Sequence, residues 1–496
     1  MTNPIEVSQA NLPALAERLP CPTYDRSAVK AGIVHVGVGG FHRAHEAFYT
    51  DALMHRTDAR AWGICGVGLR EADREMHDTL KAQDCLYTLM VKHPDGTVDV
   101  RLVGSIIDFV LSVDDPGAVV DKMAHEDTRI VSLTITEGGY NFDPATGEFL
   151  FSNPDVGYDL SHPESPRLVY GYLTAALKKR RAAGLPPFTV QSCDNIQHNG
   201  DVARKMVLAF TEKQDPALAE WIAENVRFPN AMVDRITPVT TDEDRERLRS
   251  EFGVADAWPV VCEPFTQWVI EDDFSNGRPA WEEAGAQFVP DVTPYETMKI
   301  RLLNAGHSVL GLLGSLHGFD TIDEAVSDPL FARYLRAFMD VEATPVLGEV
   351  KGIDLEAYKD SLIERFGNPN MKDTLSRICL DSSSKLPKFL IPTIQENLAA
   401  GGSIDYSALV IAAWCYSSDK GYNRRGIKLD FVDPMRYELH DAAVATDYDV
   451  LSFLRLEPIF GDLAENERFT HAYSAMIKAL HLDPDVRKLM QEVLGD

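Results

Sequence analysis

A lysine, an asparagine and a histidine share one short stretch, Lys299-Ile-Arg-Leu-Leu-Asn304-Ala-Gly-His307, in apolar surroundings. Leu302, Leu303, Val309, Leu310, Leu312 and Leu313 have the spacing of a buried helix. At about 100° of rotation per residue, the three polar side chains fall within an arc of roughly 140°. Burying an amine, a carboxamide and an imidazole is costly unless each is paired or used. Together they supply a base of tunable pKa, a donor for a developing oxyanion and an orienting contact for a substrate. Gly306 weakens such a helix by about 1 kcal/mol relative to alanine and predicts a close neighbour. A single buried group of these types is usually a paired structural one. Three of them with a glycine point to a catalytic helix.

That helix must be held by others. A helical pattern runs from Tyr295 to Leu316 and recurs at Asp328 to Met339, Asp354 to Phe366, Lys388 to Ala399 and Ser407 to Tyr416. Before about Pro290 the chain reads differently. β-type runs at Ala31 to Gly37, Trp62 to Leu69, Ile130 to Thr136 and Phe188 to Cys193 alternate with helical stretches, one of them from about Ala44 to His55. This alternation predicts a mostly parallel, doubly wound sheet. The expected architecture is an α/β domain over residues 1–290 followed by a mainly α-helical domain over residues 291–496.

Composition narrows the function. A chain of 496 residues is too long for one ordinary core, and its 45% hydrophobic and 25% charged content is that of a globular protein in water. The formal net charge of −28 argues against nucleic acid and against anionic membrane surfaces as partners. No apolar run approaches the roughly 20 residues of a membrane span, and Ala408 to Cys415 reads as a core segment. The start, Met-Thr-Asn-Pro-Ile-Glu, lacks the order of a signal peptide, so a cytoplasmic protein is expected. The seven cysteines are scattered without Cys-x-x-Cys spacing, which predicts reduced thiols and neither a zinc ribbon nor a disulfide framework.

Gly37-Val-Gly39-Gly40-Phe41-His42 follows the first β-type run and precedes a helix. A glycine turn there lets backbone N–H groups and a helix N-terminus meet a pyrophosphate. His42 stands where a third glycine is usual, so the fit to the dinucleotide fingerprint is incomplete. An acid after the second strand would hold the adenosine ribose and disfavour a 2′-phosphate; Glu71 and Asp73 are the candidates, and Arg70 beside them argues the other way. NAD is the expected dinucleotide. His42-Arg-Ala-His45-Glu46 fits neither order of the helical zinc-protease motifs, and no metal is expected.

Ligands in a doubly wound sheet gather at the carboxyl ends of the strands. Glu137-Gly-Gly-Tyr140 follows one β-type run, Asp194-Asn195 another, and Asp234 ends Phe228-Pro-Asn-Ala-Met-Val-Asp. Each has a plain alternative as a turn or cap residue, Asn199 included. Further on, Arg377 and Lys385 flank a serine-rich turn, where cations in a cleft would bind several substrate oxygens or a carboxylate.

Taken in order, Gly-Val-Gly-Gly-Phe-His-Arg-Ala-His, Thr-Ile-Thr-Glu-Gly-Gly-Tyr, Cys-Asp-Asn, Phe-Pro-Asn-Ala-Met-Val-Asp-Arg-Ile and Lys-x4-Asn-x2-His resemble the polyol-specific long-chain dehydrogenases, the mannitol dehydrogenase family. The resemblance runs nearly the whole length, through Phe389-Leu-Ile-Pro392 and Ala412-Ala-Trp-Cys415. It implies a Rossmann-type first domain, a mainly helical second one, metal-independent chemistry and, often, a monomer. It implies Lys299 as general acid/base, with Asn195 and Asn304 on the alkoxide or carbonyl oxygen. His307, Asp234, Arg377 and Lys385 would contact sugar hydroxyls, and Glu137 and Glu296 would lie along a proton route. Gly37, Gly39 and Phe41 would border the dinucleotide, with Asp73 at its ribose.

The implied reaction is NAD-dependent hydride transfer between D-mannitol and D-fructose. A lysine of ordinary pKa, about 10.4, is a poor base at neutral pH, and burial beside other cations lowers it. Rival readings are a uronate enzyme such as fructuronate reductase, a dehydrogenase for D-arabinitol or D-sorbitol, and a non-catalytic dinucleotide sensor on the same fold.

Overall fold

The β-branched runs of the N-terminal half become strands, each stopped by glycine or polar residues. The computed structural model describes residues 3–143, 146–429 and 431–496. The chain divides into two units, Met1–Thr293 and Pro294–Asp496. In the first, five strands form one sheet: β1 (Ala31–Val36), β2 (Gly63–Gly68), β3 (Ile106–Leu111), β4 (Ile130–Leu133) and β5 (Thr189–Ser192). Their order is β3-β2-β1-β4-β5, and every neighbouring pair is parallel. This is the Rossmann order.

Alternation along each strand feeds two cores. Ile33, Ile64 and Phe109 pack with Leu53, Trp268 and Trp281, whereas Val34, Val36, Val67, Val131 and Val190 pack with Leu173, Leu177, Met206 and Phe210. Both faces are therefore covered, and the strands read as nearly unbroken apolar runs. The sequence pattern does not single out β3, because Asp108 interrupts it. Lys81 and Lys122, at 2.9 and 2.6 Å, compensate that carboxylate from positions distant in the chain.

A two-stranded parallel pair, Ile5–Glu6 with Val254–Ala255, and two smaller mixed sheets complete the first unit. Tyr87–Lys92 pairs antiparallel with Val98–Val103 and parallel with Val260–Cys262. Gln267–Glu271 pairs antiparallel with Ala231–Asp234 and parallel with Gln287–Val289.

The second unit is helical, and its described residues hold only isolated bridges in place of strands, Thr321 with Thr374 and Tyr422 with Lys428. Asp328 and Asp354 cap the helices Pro329–Phe338 and Leu355–Phe366, accepting from the N–H groups of Leu330 (2.9 Å) and Glu356 (3.0 Å). The apolar run at Ala408 to Cys415 lies in the helix Asp405–Lys420 and is buried throughout. That helix is capped from afar. Glu342, fully buried, accepts from the N–H groups of Tyr406 and Ser407 at 2.8 and 2.9 Å, and burial pushes its carboxyl up to about 7.

The helical pattern at Lys388 to Ala399 resolves into two helices, Ser382–Phe389 and Ile391–Ala400, which part at Leu390 just before Pro392. Among the described residues, no helix is long and apolar enough to cross a membrane. All seven cysteines are free thiols, and burial pushes Cys65, Cys262, Cys379 and Cys415 up to about 12.

Candidate active site

The glycine turn after β1 is built by backbone demands. Gly37 has φ +96°, and a Cβ there would lie 2.1 Å from the Thr134 carbonyl oxygen, so only glycine fits. At Gly39 the added Cβ would meet nothing nearer than the Gly37 oxygen at 3.8 Å. The turn thus presents an open, backbone-lined cradle that a side chain would fill, which suits a pyrophosphate. The helix expected from Ala44 to His55 begins two residues later, after a break. Gly40–Ala44 forms one short helix and Glu46–Arg56 another, divided at His45 with φ −123° and ψ −93°. The break is fixed by long-range contacts: the His45 Nε2 lies 2.9 Å from the Gln267 carbonyl oxygen, and its ring stacks on Phe41 at 4.9 Å.

The two acids after β2 have different partners. Glu71 is engaged by Arg74, which also holds Asp114. Asp73 accepts the Arg70 N–H at 3.0 Å, and Gly68 makes room for it, since a Cβ there would come 2.8 Å from the Asp73 Cβ. The Arg70 guanidinium is largely exposed and 3.6 Å from Asp73.

Beneath the turn lies a network that sequence spacing does not reveal. His35 and His42 stack with centroids 3.4 Å apart and planes 12° from parallel. Glu46 Oε2 lies 3.0 and 3.2 Å from their Nδ1 atoms and accepts the Ser132 hydroxyl at 2.9 Å. The His35 Nε2 lies 2.9 Å from the Thr134 hydroxyl, which donates to the Gly37 carbonyl at 2.7 Å. Burial pushes the Glu46 carboxyl up, but hydrogen bonds from both histidines outweigh it and hold it well below the carboxylate range. Burial and the neighbouring His35 bring His42 down to about 3. Among the described residues, His35, His42 and Glu46 form the one group of three metal-type side chains with ligand atoms within 4.8 Å of one another. Lone pairs lie in the imidazole planes, and two nearly parallel stacked rings do not aim theirs at one point, as a tetrahedral ion requires. The group supports the glycine turn.

Three candidates sit at strand ends. Glu137 is exposed on the one-turn helix Thr136–Gly139 that follows β4, and Asn195 is exposed in the turn after β5. Asp234 is 5% exposed and ends Ala231–Asp234, so it belongs to a smaller mixed sheet and not to the carboxyl edge of the parallel one. Two residues that spacing left as ordinary turn groups join these ends. Asp194 accepts from the N–H groups of Ile135 (3.0 Å) and Thr136 (2.9 Å). The Asn199 amide donates to the carbonyls of Asp194 (3.0 Å) and Ala231 (2.7 Å), and its oxygen accepts the Ala231 N–H at 2.9 Å.

In the second unit the helix expected over Tyr295 to Leu316 has three parts: α-helix Thr293–Met298, π-helix Lys299–Asn304 and α-helix Ala305–His317. The Ala305 N–H donates to the Ile300 carbonyl, an i→i−5 bond. A π turn closes over one more residue than an α turn, which brings positions five apart nearer one line. Lys299 and Asn304 are such a pair, so the arc derived for an unbroken α-helix overstates their separation. Both are buried (7% and 9% exposed), as is Glu296; His307 is only half-buried, its ring 4.3 Å from that of Phe366. A Cβ on Gly306 would come 3.2 Å from Leu335 Cδ1, the close neighbour its position predicts.

Arg377 and Lys385 flank a turn, residues 379–381, but the serines lie beyond it in a helix. Asp381, with φ +54°, starts the helix Ser382–Phe389, and Ser383 is tied to Asp433 through its N–H at 2.9 Å. Arg377 is exposed on the one-turn helix Leu375–Ile378 and forms a bidentate pair with Asp373. Burial, followed by the charge of Arg377, lowers the Lys385 pKa.

Residues 31–283 match the mannitol dehydrogenase Rossmann domain, and residues 291–481 the mannitol dehydrogenase C-terminal domain. The chain is 46% identical over 483 residues to a mannitol 2-dehydrogenase of Phaeosphaeria nodorum, covering 97% of this chain and 84% of that one. With a mannitol 2-dehydrogenase of Aspergillus fumigatus it shares 44% over 497 residues, 98% and 99% of the two chains. The mannitol 2-dehydrogenase of Pseudomonas fluorescens, solved as a ternary complex with NAD and D-mannitol, superposes with a TM-score of 0.87 at 46% identity, over 99% and 100% of the chains. A substrate-free D-sorbitol dehydrogenase gives a TM-score of 0.91 at 39% identity, over 98% and 100%. With its Rossmann sheet, its helical second unit and both domains matched in order, the chain belongs to the mannitol dehydrogenase family.

Proposed function

We propose that this protein is an NAD-dependent polyol dehydrogenase that interconverts D-mannitol and D-fructose without a metal ion. The observation that carries the reading is the likeness to the Pseudomonas fluorescens enzyme across 99% of the chain at 46% identity. The open cradle at Gly39, the strained turn at Gly37 and the acid at Asp73 suit NAD, which when bound supplies the hydride acceptor. Residues 1–290 then carry the dinucleotide and also supply Asn195, Asp234 and Glu137, and residues 291–496 carry Lys299 and the other substrate groups.

In this reading Lys299 takes the proton of the reacting hydroxyl as the alcohol is oxidised and returns it in reduction. The amides of Asn195 and Asn304 donate to the developing alkoxide, a stabilisation that a Lewis-acid metal provides elsewhere. His307, Asp234, Arg377 and Lys385 hold the remaining hydroxyls. Glu137 and Glu296 pass the proton between Lys299 and water. We further infer a cytoplasmic enzyme that acts as a single chain, which sedimentation would check.

The test follows nicotinamide absorbance with chelator-treated enzyme. NAD or NADP is offered with D-mannitol, D-sorbitol and D-arabinitol, and NADH with D-fructose and D-fructuronate. Chelator-resistant turnover of mannitol and fructose with NAD(H) supports the reading. The D-sorbitol dehydrogenase likeness favours one rival, and faster turnover of D-sorbitol would replace the substrate while keeping the mechanism. Turnover of fructuronate alone would make the protein a uronate reductase, and NADH binding without turnover of any substrate would make it a sensor.

A further inference from the structure

Thr136 holds φ +63°, a left-handed conformation that residues other than glycine seldom adopt. Such a conformation persists only where its surroundings enforce it. The enforcing group is Asp194, 7% exposed, whose carboxylate receives the two successive N–H groups of Ile135 and Thr136. The third donor is the Tyr140 hydroxyl at 2.8 Å, itself 2.5 Å from the Ser192 hydroxyl, which accepts the Asp194 N–H at 3.2 Å. The ring of contacts closes on itself and spans both ends of the helix Thr136–Gly139. Glu137 is the next residue after Thr136, and Asn195 the next after Asp194. The Asp194 carbonyl is in turn bound by Asn199, which is also bonded to both sides of the Ala231 peptide, at the start of the strand that ends in Asp234.

We propose that Asp194 is a positioning residue that sets both Asn195, the alkoxide donor, and Glu137, on the proton route, by locking the ends of β4 and β5 together. The inference rests on the functional reading above. A neutral amide at this position cannot accept from all three donors, because its NH2 group opposes an N–H or O–H. Misplacing an oxyanion donor by a fraction of an ångström affects the transition state more than the bound substrate.

The test compares Asp194→Asn and Tyr140→Phe with the wild type, with kcat counted per NADH-binding site so that loss of folded enzyme does not register. Asp194→Asn should lower kcat about 100-fold and Tyr140→Phe about fivefold. NADH affinity should stay within twofold, and the isotope effect on kcat with D-mannitol deuterated at C2 should rise as chemistry becomes limiting. An Asp194→Asn enzyme within threefold of wild type, with an unchanged isotope effect, overturns the proposal. If Asp194→Asn binds no NADH, Tyr140→Phe decides: unchanged kcat per site and unchanged isotope effect overturn it, and a fivefold loss with a raised isotope effect supports it. Lys299→Ala is run in parallel, since turnover surviving there would sink the catalytic assignment itself and not the role of Asp194.

Discussion

The two units solve the problem of placing polar groups in opposite ways. In the first, regular strands end where function is expected, and buried carboxylates brace the loops: Glu46 under the glycine turn and Asp194 between β4 and β5. In the second, the helices themselves are irregular at or beside three of the candidates, Lys299, Asn304 and Lys385: a π segment at Lys299–Asn304, a left-handed Asp381 and a proline inside Ser382–Phe389. Strands end naturally at an edge, so a bracing group suffices. A helix has no edge along its length, and its only way to re-aim a side chain is to change its own winding.

The sharpest way to break this contrast is Lys299→Ala. Turnover should fall by about 10³-fold or more with NADH affinity nearly unchanged, measured by steady-state kinetics and fluorescence titration. Appreciable residual activity would remove the lysine from the chemistry. Deleting Ile300, whose carbonyl accepts the i→i−5 bond, should let the segment wind as α-helix, leaving Lys299 and Asn304 four positions apart on one face but moving the lysine amine from its present place. The expected result is a loss of about 100-fold in kcat with helix content by circular dichroism retained; full activity would show that the π turn has no bearing on catalysis. On the other side of the comparison, Asp73→Ser should raise kcat/KM with NADP relative to NAD by roughly 10-fold and leave polyol KM alone.

The smallest effect separates the units by pH. Burial lowers His42 to about 3 and His45 to about 4, below their ordinary 6.5. The stability they contribute is present above pH 6.5 and is lost as pH falls through 4 and then 3. Glu342 is raised from 4.5 to about 7, so its contribution is present below pH 4.5 and is lost as pH rises through 7. In calorimetry, Glu342→Gln should abolish a fall of a few degrees in the second unit's melting between pH 5.5 and 8, and leave the first unit's acid sensitivity intact. An unaltered pH slope in that variant would show that Glu342 is not its source.

Legibility in the sequence follows the range of the interactions. β1, β2 and β5 match the β-type runs to within a residue at each end, because burial on both faces demands a local apolar run. The glycine turn was readable for the same local reason. The break at His45 was not, since it depends on Gln267, and neither was the role of Asp194, whose partners Ile135 and Thr136 lie 59 and 58 residues away. Ser382–Phe389 reads as a turn from its serines, yet folds as a helix anchored to Asp433, 50 residues on. The π segment is hidden most deeply. Ile-Arg-Leu-Leu is ordinary α-helical sequence, and nothing in those residue types announces an extra one.

A π turn amounts to a single residue inserted into a helix, and that gives Lys299–Asn304 a consequence for ancestry. The insertion cannot be spread over neighbouring turns without shifting the register of everything on one side of it. A descendant that abandoned the chemistry would be free to drop that residue and regain a relaxed helix. Among relatives of this chain, a one-residue gap between the lysine and the asparagine should therefore mark lineages that kept the scaffold and gave up turnover, whatever side chains they still carry.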